Sequence, residues 1–194
     1  MNSLTTRPTH LLILPLTLLM ATTRLHHFGS ALNLPDASLA VFFLAGFYLP
    51  SAGYFPALLV EAALIDYLAI NVGGVSGWCV SPAYAFLLPT YACLWYGGRW
   101  YAKQHQMSWR SLTPLLGIMF VATSAAFLIS NGSFYLFSGR FQDMDWSGYA
   151  LRVAHYYRPY VGSTVGYVAL AGVLHVLWAA SARNAEGVKR TIQP

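Results

Sequence analysis

The chain has 194 residues, of which 57% are hydrophobic and only 9% are charged, whereas an ordinary soluble domain carries about 25% charged residues. A mean hydropathy of +0.50 and long uncharged runs place it among membrane proteins. The net charge of +5 does not indicate a nucleic-acid partner. The basic residues lie scattered between apolar runs and form no basic patch interleaved with aromatic residues.

Six apolar segments follow one another along the chain and predict six transmembrane helices. They cover residues 9–23, 37–49, 52–70, 80–97, 112–130 and 160–182. The first segment could instead be a signal peptide, but no A-x-A cleavage site follows it. We find no internal repeat, low-complexity tract or linker, so residues 1–194 are predicted to form a single all-α membrane domain.

The distribution of charge predicts how these helices are oriented. Basic residues concentrate in "GGRWYAKQHQMSWRS" and in the C-terminal tail, whereas Asp36, Asp143 and Asp145 lie in the opposite set of connections. The positive-inside rule then places both termini in the cytoplasm, with six crossings. The outer face carries "RLHHFGSALNLPDAS", "NVGGVSGWCVSP" and a third segment of almost thirty residues that ends in "AHYYRPY".

The second outer segment holds one of the two cysteines, Cys79. Ser81 and Pro82 are typical of the N-cap and first residue of a helix. The thiol therefore lies just before a helix N-terminus, where the helix dipole favours a thiolate. Cys93 is about 20 Å away along a helical path, too far for a disulfide. Cys79 is thus predicted to be a free thiol; the alternative is a small buried residue in a turn.

Several polar residues accompany this thiol on the predicted outer side. Asp66 lies inside an apolar segment, where an ionisable group is costly and indicates function. His27 and its neighbour His26 lie in the first outer segment, Arg152 and His155 lie in the third, and Tyr84 follows Cys79. Each has a simpler interpretation: the histidines as exposed residues, Asp66 as the partner of a hydroxyl, and Arg152 as the partner of Asp143 or Asp145. A zinc site lacks the usual ligand spacing, and a Cys–His–Asp nucleophilic site rests on residue types alone.

The third outer segment is dense in aromatic residues, among them Phe134, Tyr156 and Tyr160. A structureless connection of that length is uncommon, so part of it is predicted to be a short helix or lid. Aromatic belts at the membrane interface account for some of these side chains. The others predict a broad pocket for a large, partly apolar ligand.

Six helices in about 190 residues, with termini inside and substrate loops outside, resemble the substrate-binding S-components of energy-coupling-factor (ECF) transporters. More narrowly, "HHFGSALNLPD", "EAALIDYLAINVGGVSGWCVSPAY" and "ALRVAHYYRP" resemble the BtuM family of solitary cobalamin-specific S-components. The general resemblance covers essentially the whole chain. The stretch around the cysteine is its most diagnostic part.

This resemblance implies that Cys79 coordinates the cobalt of cobalamin from an axial position. It implies that His27, Asp66, Tyr84 and Arg152 are the other residues of the pocket. It also implies thiol-dependent removal of the cyano ligand from cyanocobalamin. A soft thiolate suits a transition metal, and because the cobalt arrives inside the corrin, no full set of protein ligands is required.

The first segment, "LLILPLTLLMATTR", departs from the S-component pattern because it has no Ala-x-x-x-Ala stripe for docking the shared membrane subunit. This argues against the usual ATPase-module partner and leaves cobalamin and the lipid bilayer as the expected partners, in the cytoplasmic (inner) membrane. Two other hypotheses remain open. One is an intramembrane enzyme that uses Cys79 with His27 and Asp66, and the other is a haem-binding membrane subunit with His155 or His175 as axial ligand.

Overall fold

The computed structural model describes residues 9–24 and 34–192, with side chains for 10–24 and 34–181. This part of the chain is helical and contains no strand, which confirms the all-α part of the predicted fold class. The six helices are α1 (Ile13–Arg24), α2 (Ser38–Tyr48), α3 (Tyr54–Asn71), α4 (Leu87–Gln104), α5 (Leu112–Phe137) and α6 (Trp146–Ile192). Each predicted apolar segment corresponds to one helix.

The shortest helix, α2, forms the centre of the bundle. Most of its 11 residues are buried, and it contacts α1, α3, α4 and α6. Its apolar character on all sides follows from this position, because every face meets protein. A helix of this length extends about 16 Å, roughly half of the hydrocarbon core of a bilayer.

The backbones of α2 and α4 approach each other closely because each helix has a glycine at the contact. A Cβ atom on Gly98 would collide with the carbonyl oxygen of Phe43, and one on Gly46 would collide with that of Trp95. Small residues at such contacts allow backbones to pack in membrane bundles.

Three helical stretches are long and apolar enough to cross a membrane: Tyr54–Asn71, Trp109–Phe137 and Trp146–Ser181. The helices that contain residues 10–24 and 38–48 are apolar but shorter. α4 has 18 residues and ends in the polar "RWYAKQ". The described part of the chain therefore supports a membrane protein, with three helices whose length and composition would allow them to span a bilayer.

The third predicted outer segment is mostly helical, but it does not form the separate short helix or lid that we expected. Its residues instead extend the two flanking helices. α5 continues to Phe137 and α6 begins at Trp146, which leaves only residues 138–145 between them. Aromatic side chains hold the two helix ends together: Tyr135 stacks on Tyr149 with 4.4 Å between ring centroids, and Trp146 packs against Tyr135 at 5.6 Å. Phe134, Tyr156 and Tyr160 instead line a cavity.

We expect Gly98→Ala to lower the free energy of unfolding by roughly 1–3 kcal/mol, because the added methyl group forces α2 and α4 apart. Thermal unfolding in detergent measures this loss. Gly117→Ala on α5 is the matched control, since no atom lies within 4 Å of the added Cβ. Equal melting temperatures for Gly98→Ala and the control would contradict the described contact.

Candidate functional site

A cavity of about 350 Å³ lies at the end of the bundle where α3 connects to α4 and α5 connects to α6. Four of the five residues predicted for the site line it together: Asp66, Cys79, Tyr84 and Arg152. Its volume is at the lower end of the range of about 300–1,000 Å³ that is typical of small-molecule sites.

Glycine ends α3 and redirects the chain toward the thiol. Gly74 has a positive φ of 68°, which L-residues rarely adopt. The amide of Gly73 donates to the carbonyl of Leu68, and that of Val75 donates to the carbonyl of Ala69. These bonds satisfy the last carbonyls of α3, and the chain then enters a 3₁₀ turn over Gly77–Cys79.

Cys79 is an exposed, free cysteine, as predicted. The prediction that its thiolate is favoured is wrong. Partial burial of the thiol against the cavity wall raises its pKa above the ordinary value, Asp66 adds to this effect, and Arg152 offsets part of it. The α-helix itself begins only at Leu87, after the 3₁₀ turn Pro82–Phe86, so Cys79 does not lie at its first turn, where the dipole acts. Ser81 precedes this turn as predicted, but its side chain makes no capping hydrogen bond.

A buried ion pair closes the inner side of the cavity. Arg24 at the end of α1 is only 3% exposed. Its guanidinium donates from Nε to Asp66 Oδ1 at 2.8 Å and from Nη2 to Asp66 Oδ2 at 2.7 Å. Its Nη1 donates to the hydroxyls of Ser38 on α2 at 2.9 Å and Tyr91 on α4 at 2.6 Å. One guanidinium therefore connects four helices.

Asp66 also connects this ion pair to the turn that follows Cys79. The hydroxyl of Tyr84 donates to Asp66 Oδ2 at 2.7 Å, so Asp66 does pair with a hydroxyl as well as with Arg24. Its two oxygens accept three hydrogen bonds from these partners. An already paired carboxylate is poorly suited to orient a catalytic histidine, which weakens the interpretation of Asp66 as part of a nucleophilic enzyme.

Arg152 reaches the cavity from α6 between two aromatic rings. Its guanidinium carbon lies 4.7 Å from the ring centroid of Phe141 and 4.7 Å from that of Tyr156. Within the described residues, it forms no ion pair with Asp143 or Asp145, so the simpler interpretation of Arg152 is not supported. Stacking fixes the plane of the guanidinium and leaves its N–H groups available at the edge.

His27, the fifth predicted site residue, and its neighbour His26 lie outside the described residues. Among the residues that the structure describes, no group of three or more His, Cys, Asp or Glu side chains could hold a metal ion. Among the described residues that line the cavity, Cys79 therefore offers one thiol ligand, and no cluster of three such side chains accompanies it.

Arg24 is the residue that the sequence interpretation missed. It lies in "TTRLHH", on the predicted outer side, where the positive-inside rule disfavours basic residues. Arg140, Arg152 and Arg158 lie on that predicted side as well, so this exception to the charge pattern was an available but unspecific signal. A cation on the disfavoured side, beside an apolar segment, indicates a buried partner, and Asp66 was the candidate acid.

The two histidines proposed as haem ligands lie far apart. His155 is exposed, whereas Nδ1 of His175 is 3.0 Å from the hydroxyl of Tyr48. They are 20 residues apart on α6, which corresponds to about 30 Å along the helix axis. They cannot ligate one haem together, and neither lines the cavity.

Comparison with protein-family models and with curated protein sequences finds no match for this chain.

We expect Asp66→Asn to lower the free energy of unfolding by up to about 3–5 kcal/mol, because the buried charge of Arg24 loses its bidentate partner. The guanidinium then keeps only the carboxylate of Asp36, which lies 3.6 Å from Nη1. Thermal unfolding in detergent tests this. Asp143→Asn, at an exposed position between α5 and α6, is the control and should melt like the wild type. A wild-type melting temperature for Asp66→Asn would show that the ion pair does not hold the helices together.

We expect alkylation of Cys79 to be slow at neutral pH and to accelerate as the pH rises beyond the usual range of a cysteine. The raised pKa leaves less thiolate at neutral pH, and only the thiolate reacts. The midpoint of the rate–pH curve reports the pKa of the thiol. Arg152→Gln should move this midpoint to still higher pH, because Arg152 lowers the pKa of Cys79. Iodoacetamide rates followed by mass spectrometry, in a Cys93→Ala background, measure the midpoint. A midpoint below the usual range, or one that Arg152→Gln shifts downward, would contradict this electrostatic description.

Proposed function

We propose that this protein binds cobalamin in the cavity and takes it up across the membrane, with the Cys79 thiolate as an axial ligand of cobalt. One observation supports this most strongly. Asp66, Cys79, Tyr84 and Arg152 lie far apart in sequence yet line one cavity, and they are the residues for which the resemblance to BtuM implies a role in the pocket.

The chemistry of the thiol suits this assignment. Cys79 is free and exposed at the cavity, so its sulfur is accessible to a metal that arrives inside a macrocycle. Thiolates are soft ligands that bind transition metals well. Coordination removes the thiol proton, so the raised pKa of Cys79 makes binding release a proton and strengthen as pH rises.

The dimensions of the cavity define how such a ligand would sit. A volume of about 350 Å³ is too small for a complete corrinoid, so we place the ring at the mouth, against the exposed Cys79, with some of its side chains reaching inward. Trp78 and Val80 flank the thiol and are 52% and 53% exposed. Their apolar surfaces can contact the face of the ring.

We propose that all six helices cross the membrane as an S-component-like bundle, with both termini in the cytoplasm and the cavity facing outward. The three long apolar helices form the lipid-facing part of this arrangement. The short α2 completes its crossing with flanking residues, which is possible because protein surrounds it. We place the protein in the cytoplasmic membrane and expect it to work without an ATPase module.

We also propose that the bound thiolate promotes loss of cyanide from cyanocobalamin. The thiolate donates an electron pair to cobalt in place of the nucleotide-base nitrogen, which leaves with its own electron pair. Cyanide then leaves from the opposite face with its own electron pair, and water can take that position. The oxidation state of cobalt is unchanged in this exchange. A strongly donating thiolate weakens the bond opposite it, so Cys79 would supply both the affinity and the labilising effect.

We expect purified protein incubated with cyanocobalamin to show a shifted corrin absorption spectrum and to release cyanide. Cys79→Ser should abolish both effects, because a hydroxyl is a poor ligand for cobalt. Cys93→Ala is the matched control and should behave like the wild type. Visible absorption and a cyanide assay measure the two effects. An unshifted wild-type spectrum with no bound corrin would refute the proposed function.

A further inference from the structure

Two polar atoms on the wall formed by α5 and α6 make no hydrogen bond of good geometry within the described part of the chain, although the side chain of Ser130 lies close to one of them, the Tyr160 hydroxyl. They are the side-chain carbonyl oxygen of Asn131 and the hydroxyl oxygen of Tyr160. Both atoms are shielded from solvent, and both residues line the same cavity as Cys79.

The opposite wall differs in this respect. Arg24, Asp66, Tyr84 and Tyr91 also line the cavity, but they bond to one another at distances of 2.6–2.8 Å. Most of the hydrogen-bonding groups on these four side chains are therefore already paired within the protein. Hydrogen-bonding capacity for a ligand therefore concentrates on the wall formed by α5 and α6.

An unpartnered polar atom is costly at this depth. Asn131 lies within the apolar stretch Trp109–Phe137, and Tyr160 lies within Trp146–Ser181. Buried polar groups in proteins are nearly always hydrogen-bonded to protein, to ordered water or to a ligand. Two such atoms facing one cavity indicate that a polar ligand group completes them.

Building on the proposed function, we propose that Asn131 and Tyr160 form a subsite for the peripheral carboxamide groups of the corrinoid. The carbonyl oxygen of Asn131 needs a donor, and the Tyr160 hydroxyl can donate. A carboxamide offers N–H donors to the first and a carbonyl acceptor to the second. A carboxylate offers acceptors alone, so it can bond Asn131 only through the NH2 group, after rotation of the side-chain amide.

Packing holds one of these groups in place. The ring of Tyr160 meets that of Phe127 edge-to-face, with 5.0 Å between centroids, and Phe127 is 1% exposed. The hydroxyl is thereby positioned before the ligand arrives, which reduces the entropy lost on binding. The subsite should discriminate between neutral amides and acids of the same shape, since a site built for a hydrogen bond rejects a group that cannot complete it.

The test compares cobalamin with a corrinoid whose peripheral carboxamides have been hydrolysed to carboxylates, with dissociation constants taken from absorption titrations. We expect wild-type protein to prefer the amide form. Asn131→Leu and Tyr160→Phe should each weaken cobalamin binding by about 3- to 10-fold and reduce this preference, while the Cys79-dependent spectrum at saturation is retained. Ser124→Ala is the control, because Ser124 lies on α5 and bonds the hydroxyl of Tyr157 at 2.7 Å.

Three outcomes separate the hypotheses. Loss of preference in the two variants, with the spectrum at saturation retained, supports the subsite. Wild-type affinity and preference in both variants would overturn it and would indicate that internal water satisfies these atoms, while the proposed function would stand. A wild-type protein that binds neither corrinoid would refute the proposed function itself, and the subsite with it.

Discussion

The bidentate ion pair between Arg24 and Asp66 is the interaction on which the arrangement of the site depends. A charged guanidinium that is 3% exposed is tolerated only if its charge and its N–H groups are satisfied. The required partners come from α2, α3 and α4, so these helices must meet at the end of α1. The same carboxylate accepts from Tyr84 and thereby fixes the turn that follows the cysteine.

This constraint gives the two walls of the cavity different roles. The wall that contains Arg24 and Asp66 is internally bonded and serves as a rigid support. The sulfur of Cys79 is accessible near the mouth, where partial burial and the Asp66 carboxylate raise the pKa of the thiol. The wall with Asn131 and Tyr160 retains hydrogen-bonding capacity. In the function that we propose, support, metal ligation and recognition are thus supplied by separate elements.

The sequence predicted the helices well, because apolar runs and glycine or proline boundaries are local signals. It misjudged the ends of α5 and α6, since helical hydrogen bonding and aromatic pairs such as Tyr135 with Tyr149 extend a helix beyond its apolar run. It predicted that Asp66, Cys79, Tyr84 and Arg152 belong together. It missed Arg24, whose partners are up to 67 residues away, and it misjudged the pKa of Cys79, which depends on the surrounding walls.

X-ray absorption at the cobalt edge, measured on the purified protein with bound cobalamin, tests the central claim most directly. If Cys79 is the axial ligand, the cobalt should show one sulfur scatterer at about 2.3 Å, a usual metal–thiolate distance, and Cys79→Ser should lose it. A bound corrinoid whose cobalt has only nitrogen, carbon or oxygen neighbours in the wild-type protein would contradict the account.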